Sequence, residues 1–268
     1  MIEIYLDPIL FRLGPLAIAW HGLLTAVGLV VGMWVAVRLI RGSALTADDI
    51  YAVAVPVVLG GIVGARLLFV LENWWLFADQ PLRVLAINEG GISIYGGVIG
   101  GSLVGALYAA ATGRPVAFLA DRGGIVFLIG QGIGRIGDII NGEHHGREAP
   151  GLPWSVVYTH PNTDGEVGVP VHPAVAYEML YDLAAAALLL WFLRRGPKEG
   201  LTYVAAMFLY SLGRLWVGFF RKDMVVAAGL GMAQLIGVTV MIAAIPWFLW
   251  LLRRPSQKSR AQRRRAER

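Results

Sequence analysis

Apolar runs long enough to cross a hydrocarbon core of roughly 30 Å recur at about 16–38, 50–71, 94–112, 123–140, 174–193, 202–220 and 229–252. Such a chain has little choice of architecture. In lipid every backbone N–H and C=O must be satisfied within the span, and a helix does this inside one segment. Composition agrees: 57% of residues are hydrophobic and 15% charged, with a mean hydropathy of +0.63, too apolar for a water-soluble domain. The sequence predicts an all-α integral membrane protein of about seven transmembrane helices, with one transmembrane domain over 1–252 and a basic tail over 253–268. The fourth run carries Gly123, Gly124, Gly130, Gly132, Gly134 and Gly137. It is a poor helix on propensity, so a broken or re-entrant path is the expected alternative there.

Basic residues orient the chain. Arg38 and Arg41, Arg114 and Arg122, then Arg194, Arg195 and Lys198, and finally the tail fall on one side of a seven-span protein. The positive-inside tendency makes that side cytoplasmic, placing the N-terminus, the Trp74–Glu89 loop and the 141–172 loop outside and the C-terminus in the cytoplasm. Most of the net charge of +5 comes from the tail. Beside a last span, such a tail is read as attracted to anionic membrane lipids rather than to nucleic acid. Met1–Gly14 lacks the pattern of a cleaved signal peptide, so the N-terminus is expected to be retained. The chain has no cysteine, which excludes disulfides, a thiolate nucleophile and thiolate metal ligands of its own.

Glycines repeat every fourth residue at Gly60 and Gly64 and at Gly97, Gly101 and Gly105. Each set marks a helix face that another backbone can approach. Gly90-Gly91 and Gly96-Gly97 flank Ile92–Tyr95, a permissive backbone suited to packing or to a nearby ligand.

The few polar residues in or at the ends of the spans are site candidates: His21, Arg66, Tyr95, Asp121, Arg135, Asp138, His172, Tyr177, Glu178, Arg214, Arg221 and Gln234. They concentrate at 134–146, where an apolar run ends in Arg135, Asp138, Asn141 and Glu143. Ionisable groups at such depth face a bundle interior or a wet cavity, or else reach water from an interfacial helix end. Arg66 and Arg214 lie deep enough in their spans to call for an anion, although a lone intramembrane arginine often snorkels to the interface. A guanidinium offers a planar fork of donors that matches phosphate oxygens. Arginines gathered towards one leaflet therefore suggest a phospholipid headgroup or a phosphate leaving group, with Asp138 and Glu143 orienting them. Adjacent Glu143, His144 and His145 point apart and lack a recognised ligand spacing, so no metal is expected. No cofactor motif is present either.

Gly134-Arg135-Ile136-Gly137-Asp138-Ile139-Ile140-Asn141-Gly142-Glu143-His144-His145-Gly146 resembles the signature G-R-x-G-N-F-x-N-x-E-x-x-G of prolipoprotein diacylglyceryl transferases. Trp20-His21-Gly22-Leu23, Gly64-Ala65-Arg66-Leu67, Glu89–Gly97, Asp121, His172-Pro173 with Tyr177-Glu178, Gly213-Arg214, Phe219-Phe220-Arg221 and Met232-Ala233-Gln234 extend the resemblance over nearly the whole chain. It implies a multi-pass enzyme of the bacterial inner membrane, with 1–252 as its catalytic domain. It implies transfer of a diacylglyceryl group from phosphatidylglycerol to the lipobox cysteine of a prolipoprotein signal peptide, with glycerol phosphate leaving. Arg135 and Arg214 then match arginines that hold the headgroup and its phosphate. Asn141 and Glu143 shape that site, and Gly146 permits a turn. The alternative is a divergent relative that binds or moves anionic phospholipid without transfer.

Three positions depart from the family pattern. Tyr95 stands where the family has the His of His-Gly-Gly, its proposed base, and His21 stands where it has Tyr. His21 is therefore expected to act as base with Tyr95 as its hydrogen-bonding partner, because imidazole titrates near neutral pH and a phenol does not. Asp138 replaces an Asn and would partly neutralise Arg135, so Asp138→Asn should raise affinity for the anionic lipid. Gly218 stands where an acid often follows the sixth-span arginine, which predicts that Arg214 loses a partner.

Overall fold

The computed structural model describes residues 1–14, 16–86 and 90–254; Glu89 and the tail from 255 onward lie outside them. Among the described residues seven helices are long and apolar enough to cross a membrane: α1 (Trp20–Leu39), α2 (Ala47–Glu72), α3 (Ile94–Ala111), α4 (Val116–Asn141), α5 (Ala174–Arg194), α6 (Leu201–Gly218) and α7 (Met232–Arg253). The protein is a multi-pass membrane protein. It is mostly rather than wholly helical, because segments between the helices form small sheets. β1 (Ile2–Ile4) pairs in parallel with β4 (Val156–Tyr158), which pairs antiparallel with β5 (Pro170–Val171); β2 (Ile9–Leu13) pairs with β3 (Leu16–Ala19), and β6 (Val225–Ala227) with β7 (Leu230–Gly231). These segments are too short for a stable helix, and strand pairing satisfies their backbone groups instead.

The contacts divide the chain into two units, one of Met1–Gly32 with Asp121–Arg268 and the other of Met33–Ala120. In the first unit α4 is a continuous helix of 26 residues, as the fourth span requires and not the broken or re-entrant alternative. Its glycines are positions where neighbours come close. A Cβ at Gly124 would lie 2.8 Å from Ala206 Cβ on α6, one at Gly132 2.9 Å from the Leu183 side chain on α5, and one at Gly137 2.6 Å from His21 Cα on α1. On α1 itself, a Cβ at Gly28 would lie 2.6 Å from Gly130 O. Packing by three helices thus offsets a propensity cost of about 1 kcal/mol per glycine. Asp121, 2% exposed, accepts hydrogen bonds from the amides of Gly200 and Tyr203, both at 2.8 Å. It caps the start of α6 from a different helix, a fold anchor at the donor-rich end of the helix.

In the second unit α2 and α3 meet glycine on glycine. A Cβ at Gly64 would overlap Gly96 O, and one at Gly100 would overlap Gly60 O. The closest row on α3 is therefore Gly96 and Gly100 rather than Gly97, while Gly101 and Gly105 face Val57. Thr46 and Asp49 form a capping box at the start of α2, and Arg114 holds the same Asp49 at 2.8 Å.

Candidate active site

In the first unit the close approach at Gly137 seats the start of α1 on α4, one residue before Asp138. His21 Nδ1 is thereby hydrogen-bonded to Asp138 Oδ1, and Asp138 Oδ2 pairs with Arg135 Nη1, one turn earlier on α4. Arg135 Nη2 reaches Glu178 Oε1 of α5 at 3.0 Å. The same carboxylate takes Arg214 Nη1 of α6 on both oxygens, each at 2.9 Å, and has Arg221 Nη1 3.7 Å away. Glu178 is 1% exposed. A buried carboxylate ringed by three guanidiniums keeps the charges of the cluster compensated where water cannot. Arg135 Nε has no hydrogen-bond partner among the described residues, a donor left over at depth.

Gly142, at φ +77, ends α4 by a left-handed turn, and the chain leaves with Glu143 beside His21, Oε2 lying 3.5 Å from Nδ1. Asn141 Nδ2 donates to Glu143 Oε1 at 2.8 Å, while Asn141 Oδ1 is buried without a partner among the described residues. His144 Nε2 lies 3.6 Å from Asp138 Oδ2. Although its side chain is 38% exposed, desolvation and then the guanidiniums of Arg135 and Arg221 hold its pKa well below the usual imidazole range. It is a neutral ring, unsuited to carry a proton at neutral pH. An open polar hollow lined by Pro8, Asn141, Glu143, His144, Thr163 and Asp164 adjoins these groups.

Gly146 serves a close approach rather than a left-handed turn: a Cβ there would overlap the His172 carbonyl. Its neighbours His144 and His145 diverge as expected, His145 Nε2 lying 2.8 Å from Asp164 O. Among the described residues the one group with donor atoms spaced for a cation is His21, Asp138 and Glu143, within 4.8 Å of one another. Each is engaged by the protein: His21 by Asp138, Asp138 by Arg135, Glu143 by Asn141.

The geometry also revises two sequence expectations and leaves a third untested. Arg214 has not lost its partner: Glu178 supplies it, and Gly218 instead makes room for Gln234, whose Cδ a Cβ would approach to 2.6 Å. Gln234 donates to Leu215 O and accepts from the Gly231 amide, both at 3.0 Å, fastening the start of α7. Arg66, in the second unit, gives all five donors of its guanidinium to the carbonyls of Arg83, Val84, Ala86, Gly90 and Gly91. No donor is left for a phosphate oxygen, so Arg66 clamps a loop. Finally, His21 Nδ1 is bonded to Asp138, whereas sequence reasoning pairs His21 with Tyr95. Tyr95 is buried at the start of α3 in the second unit, and that pairing stays a proposal. Sequence reasoning singles out Glu178 and Arg221 as polar residues at the span ends but gives them no role in the site. Their signal was a charge in or just past an apolar run, which marks burial without naming a partner.

Seven membrane-capable helices and a buried arginine–carboxylate cluster beside a half-exposed imidazole define a polytopic membrane protein with a charged polar centre. The family model described as prolipoprotein diacylglyceryl transferase matches residues 8–250. Relatives named phosphatidylglycerol–prolipoprotein diacylglyceryl transferase include one from Dehalococcoides mccartyi, 32% identical over 96% of this chain and 98% of its own. Another from Clostridioides difficile is 32% identical over 90% and 93%, and one from Geobacillus kaustophilus is 33% identical over 96% of each. The chain belongs to the prolipoprotein diacylglyceryl transferase family and is an enzyme, a membrane-embedded transferase of lipoprotein modification.

Proposed function

We propose that this enzyme moves the diacylglyceryl group of phosphatidylglycerol to the lipobox cysteine of a prolipoprotein signal peptide, in the bacterial inner membrane. The thiol gives its proton to His21 and its sulfur bonds to the glyceryl carbon. The C–O bond to phosphate breaks, and glycerol phosphate departs with the electron pair. Arg135 and Arg214 hold the phosphate and stabilise its developing charge; Glu178 keeps both in place before substrate arrives. Asn141 and Glu143 line the headgroup side, with Gly146 holding their loop against His172. Tyr95 acts as a hydrogen-bonding phenol rather than a base, and residues 1–252 work as one catalytic domain.

The observation that most supports this reading is a buried Arg135 Nε with no partner among the described residues, joined through Asp138 to a half-exposed His21: an unsatisfied donor and a proton acceptor in one cluster. The basic helix ends support an external N-terminus and a cytoplasmic C-terminus. The guanidiniums of Arg38, Arg195 and Arg254 stack over Trp34, Trp191 and Trp250, all at the C-terminal ends of odd-numbered helices. Such amphipathic pairs suit the headgroup layer.

The test is transfer from labelled phosphatidylglycerol to a lipobox peptide by the detergent-purified enzyme. Cysteine-dependent labelling with release of glycerol phosphate is expected, and a Cys→Ser peptide should remain unlabelled. Lipid binding without transfer would favour the second reading, a relative that binds or moves anionic phospholipid. That reading draws on Asp138, which neutralises part of the Arg135 charge.

A further inference from the structure

The role of Asp138 is open to a reading that the lipid-binding assignment does not contain. Its two carboxylate oxygens serve different partners, Oδ2 the Arg135 guanidinium and Oδ1 the His21 imidazole. A carboxylate that accepts from a guanidinium is an acceptor only. The hydrogen in the bond to His21 therefore sits on Nδ1, and the neutral ring must present Nε2 as its bare nitrogen. His21 is 45% exposed at the side chain while Asp138 is 2% exposed, so the orienting group is buried and the imidazole is half exposed. The neighbouring imidazole, His144, is held neutral and lies on Oδ2 rather than Oδ1.

We infer that Asp138 is a positioning residue that fixes His21 as the Nδ1–H tautomer, leaving Nε2 to take the proton of the incoming thiol. This rests on the transfer reaction proposed above. In the step, the S–H proton moves to Nε2, the sulfur pair forms the S–C bond, and the C–O pair leaves on the phosphate oxygen. The imidazolium so formed carries its charge against the Asp138 carboxylate, as in other acid–imidazole pairs. Because Arg135 bridges Asp138 to Glu178, and Glu178 holds Arg214, the base and the phosphate-holding arginines form one connected hydrogen-bonded chain. A charge change at the ring is therefore felt where the leaving group sits. Asp138 is thus more than a brake on Arg135.

The experiment combines nitrogen NMR of the full chain, 15N-labelled at histidine and assigned with His21→Gln, with kinetics of Asp138→Asn. Asparagine is the residue of the family signature at this position, and Arg135 keeps Glu178 in the variant. In the wild type, His21 should show a protonated Nδ1 and an unprotonated Nε2, and Asp138→Asn should abolish the dominance of that tautomer. In transfer, Asp138→Asn should lower kcat by about 10²-fold with KM for phosphatidylglycerol unchanged or lower. Placed in a His21→Gln background it should cause no further loss. A wild-type Nε2–H tautomer, a spectrum indifferent to Asp138→Asn, losses that multiply, or a change confined to KM would each overturn the inference. So would activity abolished by a chelator and restored by a divalent cation, since the same three groups would then share a metal rather than a proton. If the wild type fails to transfer, the proposed reaction falls, while the tautomer measurement still decides the Asp138–His21 pairing.

Discussion

Arg66 and Arg135 look alike in sequence, each a lone cation inside an apolar run, and they are almost equally buried, at 5% and 7% exposed. The two units use them in opposite ways. Arg66 gives five donors to backbone carbonyls and so ties the loop after α2 and the approach to α3 back to α2. Arg135 pairs with side-chain carboxylates of Asp138 and Glu178, and its Nε has no partner among the described residues. A saturated guanidinium has no donor left for a ligand, whereas an unsaturated one keeps a donor for the anion proposed above. Depth and charge do not distinguish the two; the number of donors already taken does.

The largest effect expected to test this contrast comes from Glu178→Gln. It leaves three guanidiniums around a neutral amide, and breaking such a buried set costs about 3 kcal/mol or more. Thermal unfolding in detergent should fall and transfer should drop below detection; near wild-type transfer would mean the arginines are placed without Glu178. Next comes Arg66→Lys. An ammonium has three donors and no planar fork, so at least two carbonyl bonds are lost, about 2 kcal/mol. The expected result is faster proteolysis in the 73–93 loop, with phosphatidylglycerol affinity of the intact protein unchanged. A selective loss of lipid affinity would return Arg66 to the phosphate site. Gly146→Ala follows, because the added methyl must displace the His172 carbonyl; overpacking of this kind costs about 1–3 kcal/mol. Transfer should fall more than tenfold while the helical circular dichroism stays as in the wild type. The smallest effect belongs to Gly218→Ala. The added Cβ meets the Gln234 side chain, whose two hydrogen bonds must shift with it, and alanine's helix propensity, worth up to about 1 kcal/mol, offsets part of that cost. A change in melting temperature beyond a few degrees would show that Gln234 has nowhere to move.

Most helices were legible to within a few residues, α5 being read as 174–193 and found as Ala174–Arg194, because apolar length is a property of one segment; α4 was read from 123 but starts at Val116. The glycine faces were legible only in spacing. Paired glycines at 96–97 and 100–101 satisfy an every-fourth pattern in two rows at once, and only the arrival of Gly60 and Gly64 from α2 selects the 96/100 row. The fourth span shows the limit of propensity. Six glycines argued for a break, yet contacts from α1, α5 and α6 supply what the isolated segment lacks.

Sequence alone determined the solvent, the number of membrane-capable helices and the short inventory of charges that could not be left in lipid unpaired. Which charge answers which was decided by the tertiary structure. His21 and Asp138 are 117 positions apart, and Arg135 and Glu178 are 43 apart. They meet because glycines let particular backbones touch. Hydropathy is summed along the chain, whereas compensation of a buried charge depends on atoms within a few ångströms, and only the packed helices place those.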